Sequence, residues 1–334
     1  MGKKRVLYTA LRYPYAKPSL GLSYEYYNIL DSLRQIKNLE VKEFDWVSIL
    51  QDHGKARMNE LLLRQVDKFI PDLVFFSIFR EEFNKDIIRE ISRRTLTFNW
   101  FSDDLWRFDS WAKAWAPCFK WISSLDEQVL PKYKALGYDS VIITQVACNP
   151  RMYKNLNLKK RWPVSFVGQT HSDRKRMIAE LKKRNIEVET WGIGWRNGAA
   201  SFGEMVKIFN QSKINLNFTR TSFSFRFGRF LPWFIQPTLS ISEISSTIMN
   251  GRMFEVPMCG GFLLTAPTKN LEKYFKKGKE VVIFEDFEDL EDKTRYYLSH
   301  DSDREKVALA GYKRAQTEHT YKKRFTDILR TIGI

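Results

Sequence analysis

Cysteine and histidine are scarce in this sequence, and their spacing excludes several kinds of site. The 334 residues include three cysteines, Cys118, Cys148 and Cys259, which have neither CxxC spacing nor an even count. They predict buried thiols in a reducing compartment, and they exclude a disulfide framework. None of the four histidines stands at the spacing of metal ligands. No metal site is therefore predicted.

Long hydrophobic runs are also missing. No window approaches 18 consecutive apolar residues, and the opening MGKKRVLYTAL meets Arg12 and Pro14 too early to be a signal peptide. We expect a cytosolic protein, with peripheral attachment to the inner face of a membrane left open. The hydrolase motif G-x-S-x-G, the P-loop and the dinucleotide motif GxGxxG are absent as well. The enzyme classes marked by these motifs are not predicted.

Acidic residues are outnumbered by basic ones. Lys and Arg total 55 against 39 Asp and Glu, so the net charge is +16. This excess predicts attraction to an anionic partner, which could be nucleic acid, a phospholipid surface or a phosphorylated substrate. A basic proteome is the alternative explanation, and charge alone does not choose between them.

Short apolar runs of strand length alternate with helical patterns along the whole chain, which is typical of βα units in a mostly parallel sheet. The predicted strands are Val6–Leu11, Val41–Trp46, Leu73–Phe79, Leu96–Phe101, Trp121–Ser123, Val141–Thr144, Val164–Val167, Val188–Trp191, Ile214–Phe218, Phe262–Thr265 and Val281–Phe284. The predicted helices are Ser23–Ile36, Asn59–Phe69, Asn84–Ser92, Glu127–Leu136, Asp173–Arg184, Phe202–Gln211, Thr247–Met258 and Leu271–Lys276. In the helix from Asp173, the periodicity leaves Arg174, Lys175, Lys182 and Lys183 for solvent.

The regular pattern is interrupted between Asn149 and Pro163 by Asn-Pro, a basic run and Trp-Pro. This interruption predicts an N-terminal domain over residues 1–150, a linker over 151–163 and a C-terminal domain over 164–318. A final helix over 319–334 could pack back on the first domain. The predicted fold class is α/β, with two doubly wound Rossmann-like domains facing across a cleft.

The most specific segment of the chain is MNGRMFEVPMCGGFLLT, residues 249–265. After it come a Tyr274-Phe275 pair, a strand entry over 278–284, the run EDFEDLEDK and then SDREKVALAGYKRAQTEHTYKKR. This succession resembles the CgeB-type (spore maturation protein) glycosyltransferase-like domain of the GT-B superfamily. The resemblance covers residues 164–330, whereas the N-terminal half matches in general design, including SDDLW at 102–106. It implies a metal-independent glycosyltransferase with a nucleoside-diphosphate sugar as co-substrate and no other cofactor.

The resemblance also implies a donor site in the C-terminal half. Glu255 corresponds to the glutamate that binds the donor ribose hydroxyls, and Arg252, three residues earlier on the same helix face, could neutralise the diphosphate. Gly260 and Gly261 end this helix, where glycine permits positive φ and close approach of a ligand. The alternatives are an ordinary salt bridge and a plain helix cap. Many retaining relatives carry a second glutamate eight positions before, where this chain has Thr247, so sugar and stereochemistry stay open.

Two further turns are candidates for donor contacts. Gly168 and Gln169 follow a predicted strand, where a tight βα turn is the alternative interpretation. Trp191 and Gly192 end the next strand and resemble the region that borders the nucleotide base. Buried aromatic packing explains the tryptophan equally well.

The N-terminal half offers candidates for the acceptor side and for catalysis. Gly21 and Ser23 lie in the loop after the first strand, where Ser23 is also a plausible helix cap. Asp103 and Asp104 stand at a strand's carboxyl end, and one of them could be the general base, with a pKa raised by its neighbour. A metal-binding DxD motif fits poorly because the spacing is DD. A capped turn is the third interpretation.

An aromatic and basic insertion, RTSFSFRFGRFLPWFIQP, occupies residues 220–237. Its alternation predicts a β-like ribbon that suits an anionic membrane surface or a lipid-linked acceptor. Internal or subunit packing is the main alternative, and stacking on nucleobases is a third.

The leading hypothesis is transfer of a sugar from a nucleoside-diphosphate sugar to a bacterial surface-glycan, lipid-linked or protein acceptor. The alternatives are a non-catalytic sugar-nucleotide-binding or structural protein of the same fold, which the missing glutamate permits, and a DNA-modifying glycosyltransferase, which the positive charge suggests. Fold alone does not decide among them.

Overall fold

The computed structural model describes residues 2–14, 17–170, 174–219 and 249–334. The chain divides into two compact units: unit 1 comprises Met1–Met152 and Thr320–Ile334, and unit 2 comprises Tyr153–His319. The insertion predicted over 220–237 lies outside the described residues. Among the helices that are described, none is both long enough and apolar enough to span a membrane.

Unit 1 is built on a six-stranded parallel sheet with the order β2-β1-β3-β4-β5-β6. Its strands are β1 Lys4–Ala10, β2 Leu39–Asp45, β3 Leu73–Phe76, β4 Leu96–Trp100, β5 Trp121–Ser124 and β6 Val141–Ile143. Its helices are α1 Asp31–Arg34, preceded by a π-helical turn Tyr26–Leu30, then α2 Trp46–Phe69, α3 Lys85–Arg94, α4 Lys113–Trp115, α5 Leu130–Ala135 and α11 Tyr321–Thr331.

Both faces of this sheet are covered, which explains why its strands are almost continuously apolar. Leu7 and Phe76 belong to the hydrophobic core that includes residues of α2 and α3. Tyr8 and Phe75 point into the opposite core, where the ring of Phe325 on α11 lies 5.5 Å from that of Phe75. The C-terminal helix is thereby part of unit 1.

Unit 2 contains a five-stranded parallel sheet with the order β11-β10-β9-β7-β8. Its strands are β7 Trp162–Val167, β8 Glu189–Trp191, β9 Ser212–Asn217, β10 Leu263–Thr265 and β11 Val282–Ile283. Its helices are α6 Arg174–Lys183, α7 Phe202–Gln211, α8 Arg252–Met258, α9 Phe287–Ser299 and α10 Asp301–Glu318. The prediction of an α/β fold with two doubly wound parallel sheets is confirmed.

Several predicted boundaries differ from the structure for local reasons. Helix α2 begins at Trp46, not near Asn59, because the Asp45 carboxylate caps its first turn and Gly54 absorbs a kink at φ +76°. Helix α8 begins at Arg252, whereas its predicted start, Thr247, lies outside the described residues. Unit 2 begins at Tyr153, so most of the predicted linker 151–163 belongs to unit 2.

Lys175, Lys182 and Lys183 are exposed as predicted, whereas Arg174 is only partly exposed and contacts the sheet edge. Its guanidinium donates to the carbonyl oxygens of Gln169, at 3.1 Å, and of Phe218, at 2.8 Å. It also lies over the ring of Phe166 on β7. Helical periodicity could not show this, because an arginine at the first turn of a helix can fold back onto the sheet edge.

Candidate functional site

In unit 2, the turns after β7 and β8 meet backbone to backbone at the carboxyl edge of the sheet. The Gly168 N–H donates to the Trp191 carbonyl at 2.8 Å, and the Trp195 indole N–H donates to the Gly168 carbonyl at 2.8 Å. Gly192 has φ +132°, and a Cβ there would lie 2.1 Å from the Gly168 oxygen. The structure thus brings together Gly168, Trp191 and Gly192 at the edge where α/β folds bind ligands.

Replacing Gly192 with alanine is expected to destabilise unit 2 by about 2 kcal/mol, because the new methyl group meets a backbone oxygen and the positive φ disfavours any side chain. Urea unfolding monitored by circular dichroism measures the loss. Gly203→Ala is the matched control: Gly203 lies in α7 with open space around its Cα, so alanine there should stabilise the helix by roughly 0.5–1 kcal/mol. Equal stability of Gly192→Ala and wild type would contradict the backbone contact.

Arg252 opens helix α8 beside the same edge. Its Nε donates to the carbonyl of Val167, the last residue of β7, at 3.2 Å, and its Nη1 forms a close ion pair with Glu255. The Arg252 side chain keeps 29% of its surface exposed. One guanidinium edge is therefore anchored to the protein while part of the group still reaches solvent.

Glu255 is buried, with 1% of its surface exposed. One carboxylate oxygen accepts from the Tyr153 hydroxyl at 2.9 Å and the other pairs with Arg252. The Gly251 backbone packs directly against the carboxylate, because a Cβ at Gly251 would lie 2.8 Å from Oε1. The arrangement orients Arg252, whereas direct contact between Glu255 and a donor ribose stays a prediction.

A row of hydrogen-bonded amides and a hydroxyl, which the sequence pattern did not predict, lies at this edge. The Asn217 side chain donates to Thr265 Oγ1 at 2.9 Å, and the Asn250 side chain donates to Asn217 Oδ1 at 3.0 Å. The row runs from β10 across β9 to the residue two before Arg252, so it fixes where α8 starts. The signal was present, because Asn215 and Asn217 alternate inside the otherwise apolar run INLNF of a buried strand.

Gly260 and Gly261 do not lie at this edge. They follow the far end of α8, where Gly261 packs against the Phe209 carbonyl and the Asn215 amide, near the start of β9 and β10. Gly260 has φ +72° and packs against Asn155. Both glycines therefore permit a tight helix-to-strand connection, and the structure does not bring them to Arg252. Gln169, in contrast, is exposed in the turn after β7.

In unit 1, the two predicted loop residues differ in accessibility. Gly21 is exposed with φ +75°. Ser23 is buried, and its hydroxyl donates to the Leu11 carbonyl while accepting the Tyr26 N–H at 3.0 Å. Its oxygen is therefore occupied in holding the loop to the following helix, and its contact with acceptor or donor stays a prediction.

The predicted catalytic pair separates into a buried and a partly exposed carboxylate. Asp104 is 2% exposed and accepts from the Ser124 hydroxyl at 2.9 Å and the Tyr133 hydroxyl at 3.1 Å. Burial raises the pKa of Asp104 to about 6, and the charge of Asp103 contributes least to that shift. Asp103 is partly exposed and accepts from the Trp106 indole N–H at 3.1 Å. Of these two carboxylates, only that of Asp103 is accessible to a ligand.

The raised pKa of Asp104 makes the stability of unit 1 depend on pH. A carboxyl that binds its proton more tightly when folded adds stability as the pH falls through its folded pKa towards its unfolded value near 3.9. From about pH 7.5 to about pH 5, wild type should gain about 1.4 kcal/mol relative to Asp104→Asn, which has no such proton to bind.

Urea unfolding of both proteins at the two pH values measures this difference. Asp103→Asn is the control, because it makes the same chemical change at the neighbouring residue and should keep the gain in the free energy of unfolding at low pH. A constant difference between wild type and Asp104→Asn would show that Asp104 does not titrate in this range.

Comparison with known proteins supports the resemblance inferred from residues 249–265. Residues 174–330 match the model of a family described as glycosyl transferase-like. The chain is 20% identical over 219 residues to spore protein CgeB of Bacillus subtilis (strain 168), a match that covers 60% of this chain and 64% of CgeB. The match thus extends over less than two thirds of that relative.

Solved structures share the fold across the whole chain. A glycosyltransferase from Rickettsia africae ESF-5 has a TM-score of 0.62 at 10% identity, and Anabaena HepE in complex with UDP has 0.58 at 9%. Sucrose-phosphate synthase from Thermosynechococcus elongatus has 0.59 at 8%. Each alignment covers 99% of both chains. At such low identity the likeness establishes the fold alone, and it confirms the predicted fold class.

Proposed function

We propose that this glycosyltransferase takes its sugar from a nucleoside-diphosphate donor bound by unit 2, whose residues 174–319 lie within the match to the glycosyl transferase-like family. The observation that carries the proposal is the pair of guanidiniums at the carboxyl edge of the sheet. Arg252 is anchored on the end of β7, and Arg174 bridges the segments after β7 and β9. A diphosphate is the ligand chemistry that guanidiniums at such an edge favour.

Arg252 also supports the proposal of metal independence. When the sugar leaves the donor, negative charge develops on the diphosphate, and prepositioned cations can stabilise it without a divalent ion. Arg252 is the stronger candidate because Glu255 and the Val167 carbonyl fix its orientation before the donor binds. We therefore assign leaving-group stabilisation to Arg252 and support of the surrounding turns to Arg174.

Binding of UDP tests the donor proposal, since HepE was solved in complex with UDP and with UDP-glucose. In a thermal-shift measurement, UDP at about 100 times its Kd should add about 2.7 kcal/mol of apparent stability, and the shift should persist in EDTA. GDP and ADP serve as comparison ligands for the base. The absence of a shift with all three nucleotides would remove the donor proposal. A shift or an activity that EDTA abolishes and Mn²⁺ restores would contradict metal independence.

The acceptor proposals rest on less specific features. A bacterial surface glycan, a lipid-linked acceptor or a protein remain the proposed acceptors, and attachment to an anionic membrane through residues 220–237 stays a prediction from their sequence. If the chain is instead a non-catalytic protein of the same fold, it should bind the nucleotide without releasing UDP from UDP-glucose. That outcome distinguishes the second hypothesis from the first.

A further inference from the structure

Two large aromatic side chains stand exposed at the carboxyl edge of the unit 1 sheet. Phe79 follows β3 and Trp106 follows β4, and each has 49% of its surface exposed. Burying such rings would be energetically favourable, so an exposed pair at the edge of the sheet where ligands bind indicates a binding surface. We call the side chains of Phe79, Trp106 and Arg107 the aromatic platform.

Hydrogen bonds and cation–π contacts hold the side chains of the platform in place. The Arg107 guanidinium lies 4.7 Å from the centroid of the Phe79 ring and 5.8 Å from that of Trp106, and it donates to the Phe79 carbonyl at 2.6 Å. The Trp106 indole is held by Asp103 at 3.1 Å. Glu82 accepts the backbone N–H groups of Phe79 and Arg80. Cation–π contacts and hydrogen bonds thus fix both rings before any ligand binds.

The charges around the platform balance. Among the residues that lie beside Phe79 and Trp106 in the chain or bond to their segments, three are basic, Lys55, Arg80 and Arg107, and three are acidic, Glu81, Glu82 and Asp103. A net positive face would favour an anionic lipid surface or a nucleic acid, whereas these six described residues carry no net charge. A neutral ligand with an apolar side and several hydroxyl groups fits better. The aromatic rings can cover its apolar side, and the charged planar groups can form hydrogen bonds with its hydroxyl groups.

We infer that the aromatic platform binds a neutral oligosaccharide, one sugar ring of which stacks on Trp106 and Phe79 while its hydroxyl groups bond Asp103 and Arg107. The inference rests on the proposed function, for which it selects a glycan as the acceptor. Asp103 is then the carboxylate at the rim of the acceptor site. Trp106 and Phe79 are binding residues and take no part in the chemistry.

Isothermal titration with maltotriose, cellotriose and chitotriose, each with and without saturating UDP, tests the inference. At least one trisaccharide should bind wild type. Trp106→Ala and Phe79→Ala should each weaken that binding by about tenfold and leave UDP binding unchanged, whereas Trp106→Phe should stay within about threefold because it keeps a ring. Leu136→Ala is the matched control, since Leu136 is 45% exposed in unit 1 but follows α5, at the opposite edge of the sheet.

The outcomes separate the two proposals. UDP binding without trisaccharide binding, or equal trisaccharide binding by wild type and by both alanine variants, overturns the platform. Failure of UDP to bind overturns the donor proposal instead. If wild type co-sediments with phosphatidylglycerol vesicles and Trp106→Ala does not, the platform contacts lipid and the inference is overturned. Circular dichroism identifies any variant that fails to fold, and Trp106→Phe then carries the comparison.

Discussion

Replacing Arg252 with glutamine is expected to slow sugar transfer by about 10²–10³-fold, because a single prepositioned donor at a developing negative charge is worth that much. Glutamine can keep a bond to the Val167 carbonyl, but it takes the cation away from the buried Glu255 carboxylate, so circular dichroism must first show that Arg252→Gln is folded at the assay temperature. Release of UDP from UDP-glucose, with water or glycan as acceptor, measures the change. Because the effect is on leaving-group charge, kcat should fall more than the affinity for UDP-glucose.

Arg57→Gln is the control for this experiment. Arg57 forms an Arg–Glu pair at the same i,i+3 spacing with Glu60, but on the surface of α2 in unit 1. Loss of that exposed pair should cost well under about 1 kcal/mol of stability and leave turnover unchanged. If Arg252→Gln keeps the turnover of wild type, Arg252 has no part in the reaction.

The sequence predicted the scaffold well because strand length and burial are local properties. All eleven predicted strands occur, since runs such as Leu73–Phe76 need no partner to identify them as segments covered on both faces. Helix starts were less predictable. Helix α8 starts at Arg252 because Asn250 bonds to Asn217, thirty-three residues earlier in the chain. Helix periodicity contains no information on such a contact.

The candidate site was predicted in part for the same reason. Arg252 and Glu255 are three residues apart, so their pairing follows from helix geometry. Arg174 contacts the Phe218 carbonyl, forty-four residues away, and no spacing rule predicts that. For Gly260 and Gly261, the sequence suggested a place beside Arg252 that the structure does not give them. Their composition indicates an unusual backbone, but seven helical residues of α8, about 10 Å of axis, separate them from the edge where Arg252 lies.

Arg252 and Glu255 should also be coupled in stability, because the two charges differ in burial. Arg252→Met would leave the Glu255 carboxylate buried without a cation, and such an uncompensated charge costs about 3–5 kcal/mol. Glu255→Gln should cost less, on the order of 1–2 kcal/mol, because the amide still bonds Tyr153 and the partly exposed guanidinium can turn to water.

The double variant Arg252→Met/Glu255→Gln tests whether the stabilities of the two sites are coupled. It contains no unpaired charge, so it should be more stable than Arg252→Met alone, with a coupling free energy of up to about 3 kcal/mol between the two sites. Urea unfolding of wild type, both single variants and the double variant gives the full cycle. Tyr153→Phe in the wild-type background isolates the remaining hydrogen bond to Glu255. If the two single effects simply add, the carboxylate is solvated in the native protein, and direct contact between Glu255 and the donor becomes the better account of this residue.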